Sequence, residues 1–184
     1  MSLDRQPTLR GNTINLRPLT AADWDKLYAV AANPKVWAMH PMHDRWQEEV
    51  FREFFDDALA KGGALAAIDR ASGDIIGSSR FQAYDPADGG SVEIGWTFLD
   101  PHYWGTGANR EMKRLMVDHA LASVARVDFR VGEANWRSRR ALEKIGAQLS
   151  PDRIERAVLP GIGEAVHLYY EMTRLDYERI LAKG

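Results

Sequence analysis

One stretch narrows the choice of fold more than any other. From Ser91 to Gly132 a strand, a glycine-containing loop, a helix and a second strand follow one another with little between them. Val92, Ile94, Trp96 and Phe98 alternate with Glu93, Gly95 and Thr97, which is the period of a strand with two unlike faces. Pro101 stops that strand. Met112, Leu115, Met116, His119 and Ala120 then recur at helical spacing, placing a helix over about Ala108 to Val124. Val127, Phe129 and Val131 alternate in a strand over Arg126 to Gly132. Such a crossover joins parallel strands. Just upstream, Ala64 to Asp69 and Ile75 to Tyr84 flank the turn Ser72-Gly73-Asp74, and Asp85 to Gly90 turns again before Ser91. Hairpins of that kind are antiparallel. The two patterns together require a mixed, mostly antiparallel sheet with helices packed on both faces, an α+β (α/β) architecture.

The flanking segments fit this plan. Thr13 to Arg17 reads as a strand stopped by Pro18, and Thr20 as a helix N-cap with Asp23 three residues on. Trp24, Leu27, Tyr28 and Ala31 continue that helix, and Asn33-Pro34 is expected to end it. A loop from Trp37 to Asp44 precedes a helix over about Arg45 to Ala60, with the stripe Trp46, Val50, Phe54 and Leu59 and with Phe51 and Phe55 alongside; Gly62-Gly63 terminates it. Asn135 opens a fourth helix that Gly146 caps. Two last strands fit Ile154 to Leu159 and Val166 to Thr173, joined by a turn at Pro160 to Gly163. Leu3 to Pro7 is expected to be a loose arm and Ala182 to Gly184 a tail. The predicted order is β-α-α-β-β-β-α-β-α-β-β.

Composition sets the outer limits. The 184 residues suit one domain, 1–184, large enough to bury its own core. Lys plus Arg is 24 against 26 Asp plus Glu, a net charge of −2 that gives no pull toward nucleic acid or anionic membrane. There is no cysteine, so disulfides, thiolate nucleophiles and thiolate metal sites are excluded. No apolar run approaches the ~20 residues of a membrane helix, and the polar start does not read as a signal peptide. The expectation is a soluble, cytoplasmic chain. His and carboxylates show no compact ligand spacing, so no metal is expected.

The stretch Trp104-Gly105-Thr106-Gly107-Ala108-Asn109-Arg110 sits between strand and helix. Its glycines let backbone approach a ligand, and the helix start offers bare amides and a positive dipole end. Arg110 and Lys113 add charge. It is a candidate phosphate cradle, or simply a tight turn. It is not a dinucleotide fingerprint, because Arg110 stands where the third glycine is needed, and it lacks the Gly-Lys-Ser/Thr of a Walker loop.

The string EIGWTFLDPHYWGTGANREMKRLMVDHAL, followed by VDFRVGEANWRSRRALEKIGA, resembles the GNAT N-acetyltransferases, in particular the RimJ/RimL-like branch. The predicted element order agrees over nearly the whole chain. The family's pyrophosphate loop, Arg/Gln-x-x-Gly-x-Gly/Ala, puts Gly107 at its central glycine. Trp104 and Asn109 depart from the general pattern at the first and last positions. The resemblance implies that amides of Gly105, Thr106, Gly107, Ala108, Asn109 and Arg110 hold the pyrophosphate of acetyl-CoA. It implies that backbone at Phe98 and Leu99 pairs with the pantetheine arm, and that the acyl thioester lies where this strand and the one over Arg126 to Gly132 splay apart. Asn135 and Ser138 match an Asn-x-x-Ser signature, which puts Asn135 against pantetheine and Ser138 near the sulfur. Asn135 is also explained as an N-cap.

The implied reaction is direct attack of an acceptor amine, a protein N-terminus or a small molecule, on the thioester. The amine must be neutral, so a general base is useful. Glu93 is one candidate, with pairing to Arg80 as its structural alternative. His40 and His43 are others, or else surface residues. His119 reads as a core histidine, and an acid role for Tyr169 or Tyr170 has no sequence support beyond residue type. Trp37, Met39, Met42 and Trp46 are either an acceptor pocket or helix packing. Arg137, Arg139 and Arg140 either touch coenzyme A phosphates or form a solvated face. A non-catalytic acyl-CoA sensor and a purely structural protein are the competing classes. Dimerisation is common on this fold, with no specific sequence evidence for it here.

Overall fold

The computed structural model describes residues 2–159 and 163–182. Its elements in chain order are β1 (Leu9–Arg10), β2 (Ile14–Pro18), α1 (Trp24–Ala31), α2 (Pro34–Trp37), α3 (Glu48–Lys61), β3 (Ala64–Asp69), β4 (Ile75–Asp85) and β5 (Ser91–Leu99). After these come α4 (Ala108–Leu121), β6 (Arg126–Gly132), α5 (Trp136–Lys144), β7 (Gln148–Leu159), β8 (Gly163–Thr173) and α6 (Arg174–Leu181). The strands form an eight-stranded sheet in the order β1-β2-β3-β4-β5-β6-β8-β7. Neighbours are antiparallel except β5 and β6, the parallel pair joined through α4.

Each face carries its own core. On one, α4 lays Met112, Met116, Val117 and Ala120 against Leu16, Leu65, Val92, Ile94, Val127 and Phe129, with Leu142 of α5 and the half-buried Ile180 of α6. On the other, Leu27 and Ala31 of α1, Trp37 of α2 and Phe51, Phe54, Phe55 and Ala58 of α3 cover Ala64, Ala66, Ile75 and Phe98.

Local chemistry meets one of these expectations and corrects others. Asn33-Pro34 ends α1 at Ala31 as expected and in addition opens the short α2: Asn33 Oδ1 accepts from the Lys35 amide at 3.1 Å, and proline occupies the first turn, where no amide bond is lost. The α3 helix starts at Glu48, its buried face is Phe51, Phe54, Phe55 and Ala58, and Trp46 lies outside it and exposed. The arm at Leu3 to Pro7 is pinned: Leu3 is buried, and His119 Nε2 donates to the Asp4 carbonyl at 2.6 Å. β7 begins at Gln148, earlier than Ile154, and α6 follows β8 under a capping box in which Thr173 and Asp176 satisfy each other's amides. Residues 160–162, where a turn is expected, and 183–184 of the expected tail lie outside the described residues.

Strand β5 also departs from its sequence pattern. Register with β4 runs Arg80↔Gly95 and then Ser78↔Phe98, so β5 carries an extra residue, and Trp96 has φ +54°. This is a β-bulge with a bulky residue in the left-handed region, a strained state that only dense packing sustains. The Trp96 ring is held by Phe54 at 4.9 Å between centroids. The phase therefore flips: Val92 and Ile94 face α4, whereas Trp96 and Phe98 face α3.

Candidate active site

The parallel pairing of β5 with β6 covers only Ser91–Glu93 against Arg126–Asp128. Beyond it the two strands part, and the bulge at Trp96 carries β5 further from a straight course. A cleft of about 740 Å³ opens in the gap, lined by Glu93 to Leu99 from one strand and Phe129 to Gly132 from the other. At the Leu99 end it meets the loop before α4, including Gly105 and Asn109, and the first turns of α5, including Asn135 and Ser138. The segment between α2 and α3 bounds it with His40, Pro41, Met42 and Arg45.

The loop at the Leu99 end is shaped by backbone. Gly107 N-caps α4 at φ +99°, a conformation that costs a side chain roughly 1–2 kcal/mol. Thr106 Oγ1 accepts from the Ala108 amide at 3.4 Å, and the Glu111 amide returns to the Gly107 carbonyl. Among the described residues nothing accepts from the amides of Gly105, Gly107, Asn109 or Arg110. Unpaired amides at the positive end of a fourteen-residue helix form an anion seat. The cleft and this seat match the requirements of a long ligand with an anionic end.

A model of the acetyltransferase (GNAT) domain matches residues 13–148. The chain belongs to the GNAT acetyltransferase family. It thus belongs among enzymes that acetylate amines with acetyl-CoA. A search of the curated proteins finds no match. Solved structures agree on the fold. A GCN5-related N-acetyltransferase from Brucella melitensis is 22% identical, with TM-score 0.82 over 95% of this chain and 82% of that one. RimJ from Mycobacterium smegmatis, in complex with CoA-disulfide, is 18% identical, with TM-score 0.73 over 97% and 93%. Spermidine N-acetyltransferase from Vibrio cholerae, with CoA and spermine, is 14% identical, with TM-score 0.70 over 91% and 99%.

Of the donor-site residues expected from the GNAT motifs, Phe98, Leu99, Gly105, Asn109, Asn135 and Ser138 line the cleft. Gly107 lies at the seat with open space where a Cβ would go, and Arg110 is exposed beside it. The side chains of Thr106 and Ala108 turn away toward a smaller hollow with Thr13, Ile14, Asp69 and Tyr103, so only their backbone is available to a donor. Asn135 is the N-cap of α5: its Oδ1 accepts from the Ser138 amide at 3.2 Å. That bond fixes where Ser138 stands. Trp104 donates its ring N–H to the Leu99 carbonyl at 3.0 Å and lies under the Arg137 guanidinium at 3.8 Å. Arg137 also donates to the Val36 carbonyl at 3.3 Å. Arg140 lines the cleft, while Arg139 turns to Tyr170 Oη and the Glu133 carbonyl.

Glu93 does not pair with Arg80, whose guanidinium binds Asp57 at 2.9 Å. It is buried, and Oε1 accepts from Gln82 Nε2 at 2.6 Å. Burial pushes its carboxyl above the usual range, against the opposing pull of Gln82 and Arg130. Gly95 makes room for it: a Cβ there would sit 2.8 Å from Glu93 Oε1. His40 is a poor base. Burial, with Arg45 and His167 nearby, drops it to about 3, and its Nδ1 already accepts from the Met42 amide at 3.0 Å. His43 is exposed and does not line the cleft. Tyr169 Oη donates to Glu155, and Tyr170 Oη to Glu143; neither lines the cleft. Trp37 is core and cleft wall together, Met42 lines the wall, and Met39 and Trp46 do not.

The residue that sequence reasoning placed wrongly is Lys113. It does not add charge at the seat. It is buried on the sheet side of α4, with Nζ 2.5 Å from Thr97 Oγ1 and 5.6 Å from the Phe129 ring. Desolvation drops its ammonium to about 7, with Glu93 pulling the other way. The available signal was its spacing: Lys113 shares the helix face of Val117 and Ala120. Arg45, Arg130 and His167 also line the cleft and were not singled out.

Proposed function

We propose that the whole chain works as one domain that transfers an acetyl group from acetyl-CoA to a primary amine by direct attack. The observation that carries this is the gap between β5 and β6, which ends at an unpaired-amide seat and holds one buried carboxylate, Glu93, among its lining residues. In this reading the amides of Gly105 to Arg110 take the pyrophosphate, in the case of Thr106 and Ala108 through backbone alone. The unpaired edge of β5 near Phe98 and Leu99 takes the pantetheine amides, and Asn135 positions Ser138 at the sulfur.

Glu93 is then the base. One oxygen is held by Gln82, leaving the other to draw a proton from the acceptor ammonium, directly or through water. Its raised pKa makes that transfer less uphill than for an ordinary carboxylate. The neutral nitrogen attacks the thioester carbonyl carbon. The carbon-nitrogen bond forms, the carbon-sulfur bond breaks with its electron pair leaving on sulfur, and the proton that the new amide nitrogen sheds passes through water to that thiolate, so coenzyme A leaves as the thiol. In this reading Ser138 donates a hydrogen bond to the sulfur as it leaves.

The test is thiol release from acetyl-CoA with a panel of amines, including peptide N-termini and small amines. Amine-dependent release with acetylated product is expected. Bound acetyl-CoA with no amine-dependent release would replace the enzyme with an acyl-CoA sensor.

A further inference from the structure

The segment between α2 and α3 reaches across the parted strands. Pro41 sits against Gly132 of β6, 2.8 Å from where a Cβ would stand. Arg45 lies over Trp96 of β5 at 5.0 Å, over Phe54 at 4.8 Å and near Trp37 at 5.7 Å. The guanidinium is thus set in an aromatic box on the α3 side of the sheet. Glu93 opens to the same side, because its neighbours Val92 and Ile94 face α4.

A cation in such a place ordinarily has a carboxylate partner. Among the described residues Arg45 has none within salt-bridge distance. Its one hydrogen-bond contact is His40 Nε2 at 3.4 Å, and Asp44, next in the chain, acts on it only from beyond salt-bridge distance. That contact cannot satisfy it. His40 Nδ1 accepts from Met42, so Nε2 carries the proton and faces Arg45 as a second donor. Stacking on rings engages the faces of a guanidinium and leaves its in-plane N–H groups free, in the fork geometry that fits a carboxylate. Of the other cations near this side, Arg130 is already paired with Glu155 at 2.9 Å, and Arg80, 5.2 Å from the Trp96 ring, with Asp57 at 2.9 Å.

We propose that Arg45 is the acceptor-binding residue of this site and that the acceptor is an amine bearing a carboxylate, the amine meeting Glu93 and the carboxylate meeting Arg45. This rests on the acetyltransferase reading above. It disfavours a polyamine, whose further ammonium groups would meet a guanidinium that has no ion-pair partner in contact among the described residues. The carboxylate comes either from a free amino acid or from an acidic side chain near a peptide N-terminus. The two sources share one recognition chemistry.

The experiment measures kcat and KM with acetyl-CoA for α-, β- and γ-amino acids against their amides. A parallel arm uses short peptides with Asp or Asn after the N-terminal residue, and spermidine is included. Arg45→Met keeps a packing side chain in the aromatic box, and Arg45→Lys keeps the charge. The expected result is a preference of about tenfold or more in kcat/KM for a carboxylate over its matched amide. In Arg45→Met that preference collapses through KM, and Arg45→Lys restores part of it. Equal rates for carboxylate and amide in the wild type, or a preference that survives in Arg45→Met, would overturn the proposal. Calorimetry with acetyl-CoA accompanies each protein. Unimpaired donor binding with no carboxylate preference sinks Arg45 alone, whereas absent donor binding sinks the acetyltransferase reading and this one with it.

Discussion

The two ends of the cleft are built from different materials. At the α4 end the groups on offer to a ligand are backbone amides, left bare by a helix start and two glycines, with Gly107 held at φ +99°. On the α3 side they are side chains from distant parts of the chain: Arg45 from a loop, Trp96 from a bulge, Glu93 from a strand and His167 from β8. A seat made of backbone binds whatever has the right charge and shape, and it needs only a short local pattern. A site made of converging side chains selects among acceptors, and no local pattern encodes it.

Changes on each side should therefore fail in different ways. The largest effect is expected at Glu93. Glu93→Gln keeps the bond partner of Gln82 but removes the base, so turnover should drop by about a hundredfold or more while acetyl-CoA binding holds. The wild-type rate should rise with pH through a pKa above the usual carboxylate range, since only the deprotonated Glu93 accepts a proton. That limb should vanish in the variant. Unchanged turnover and an unchanged pH profile would move the base elsewhere.

A smaller effect is expected from Lys113. Its ammonium is brought down to about 7 in the fold from an ordinary value of 10.5. Below pH 7 both folded and unfolded chains carry the proton, and the fold bears the full cost of burying it. From there up to about pH 10.5 the unfolded chain binds more protons, so this group makes stability rise with pH. Lys113→Met should be more stable than wild type at neutral pH, and the gain should shrink toward pH 10. Denaturant melts at several pH values measure it, and parallel pH curves for the two proteins would contradict the assignment.

The same division explains what the sequence disclosed. Alternation in Ser91 to Leu99 and the crossover to Arg126 to Gly132 gave the mixed sheet, because those patterns are local and periodic. Thr20 with Asp23 and Asn135 announced helix starts for the same reason. The bulge at Trp96 was not legible. Its sequence alternates without interruption, and only the register against β4 shows the extra residue. Nor was the inward turn of Lys113, or the aromatic box around Arg45, which draws on three aromatic residues up to 59 positions apart in the chain. Glu93 was found by its place on the strand, but its partner was misjudged: Gln82 stands directly across from it in register, and Arg80 lies across from Gly95.

The central claim is that the gap between β5 and β6, with its seat at Gly107, binds the acyl-CoA donor. Calorimetric titration with acetyl-CoA, desulfo-CoA and adenosine 3′,5′-bisphosphate tests it directly, on the wild type and on Gly107→Val. A Cβ at Gly107 meets no atom within 4 Å, so the variant should fold while its strained backbone disturbs the seat. The account predicts micromolar binding of acetyl-CoA by the wild type and a loss of at least about tenfold in the variant. Equal affinity in the two proteins, or no binding by a folded wild type, would contradict it.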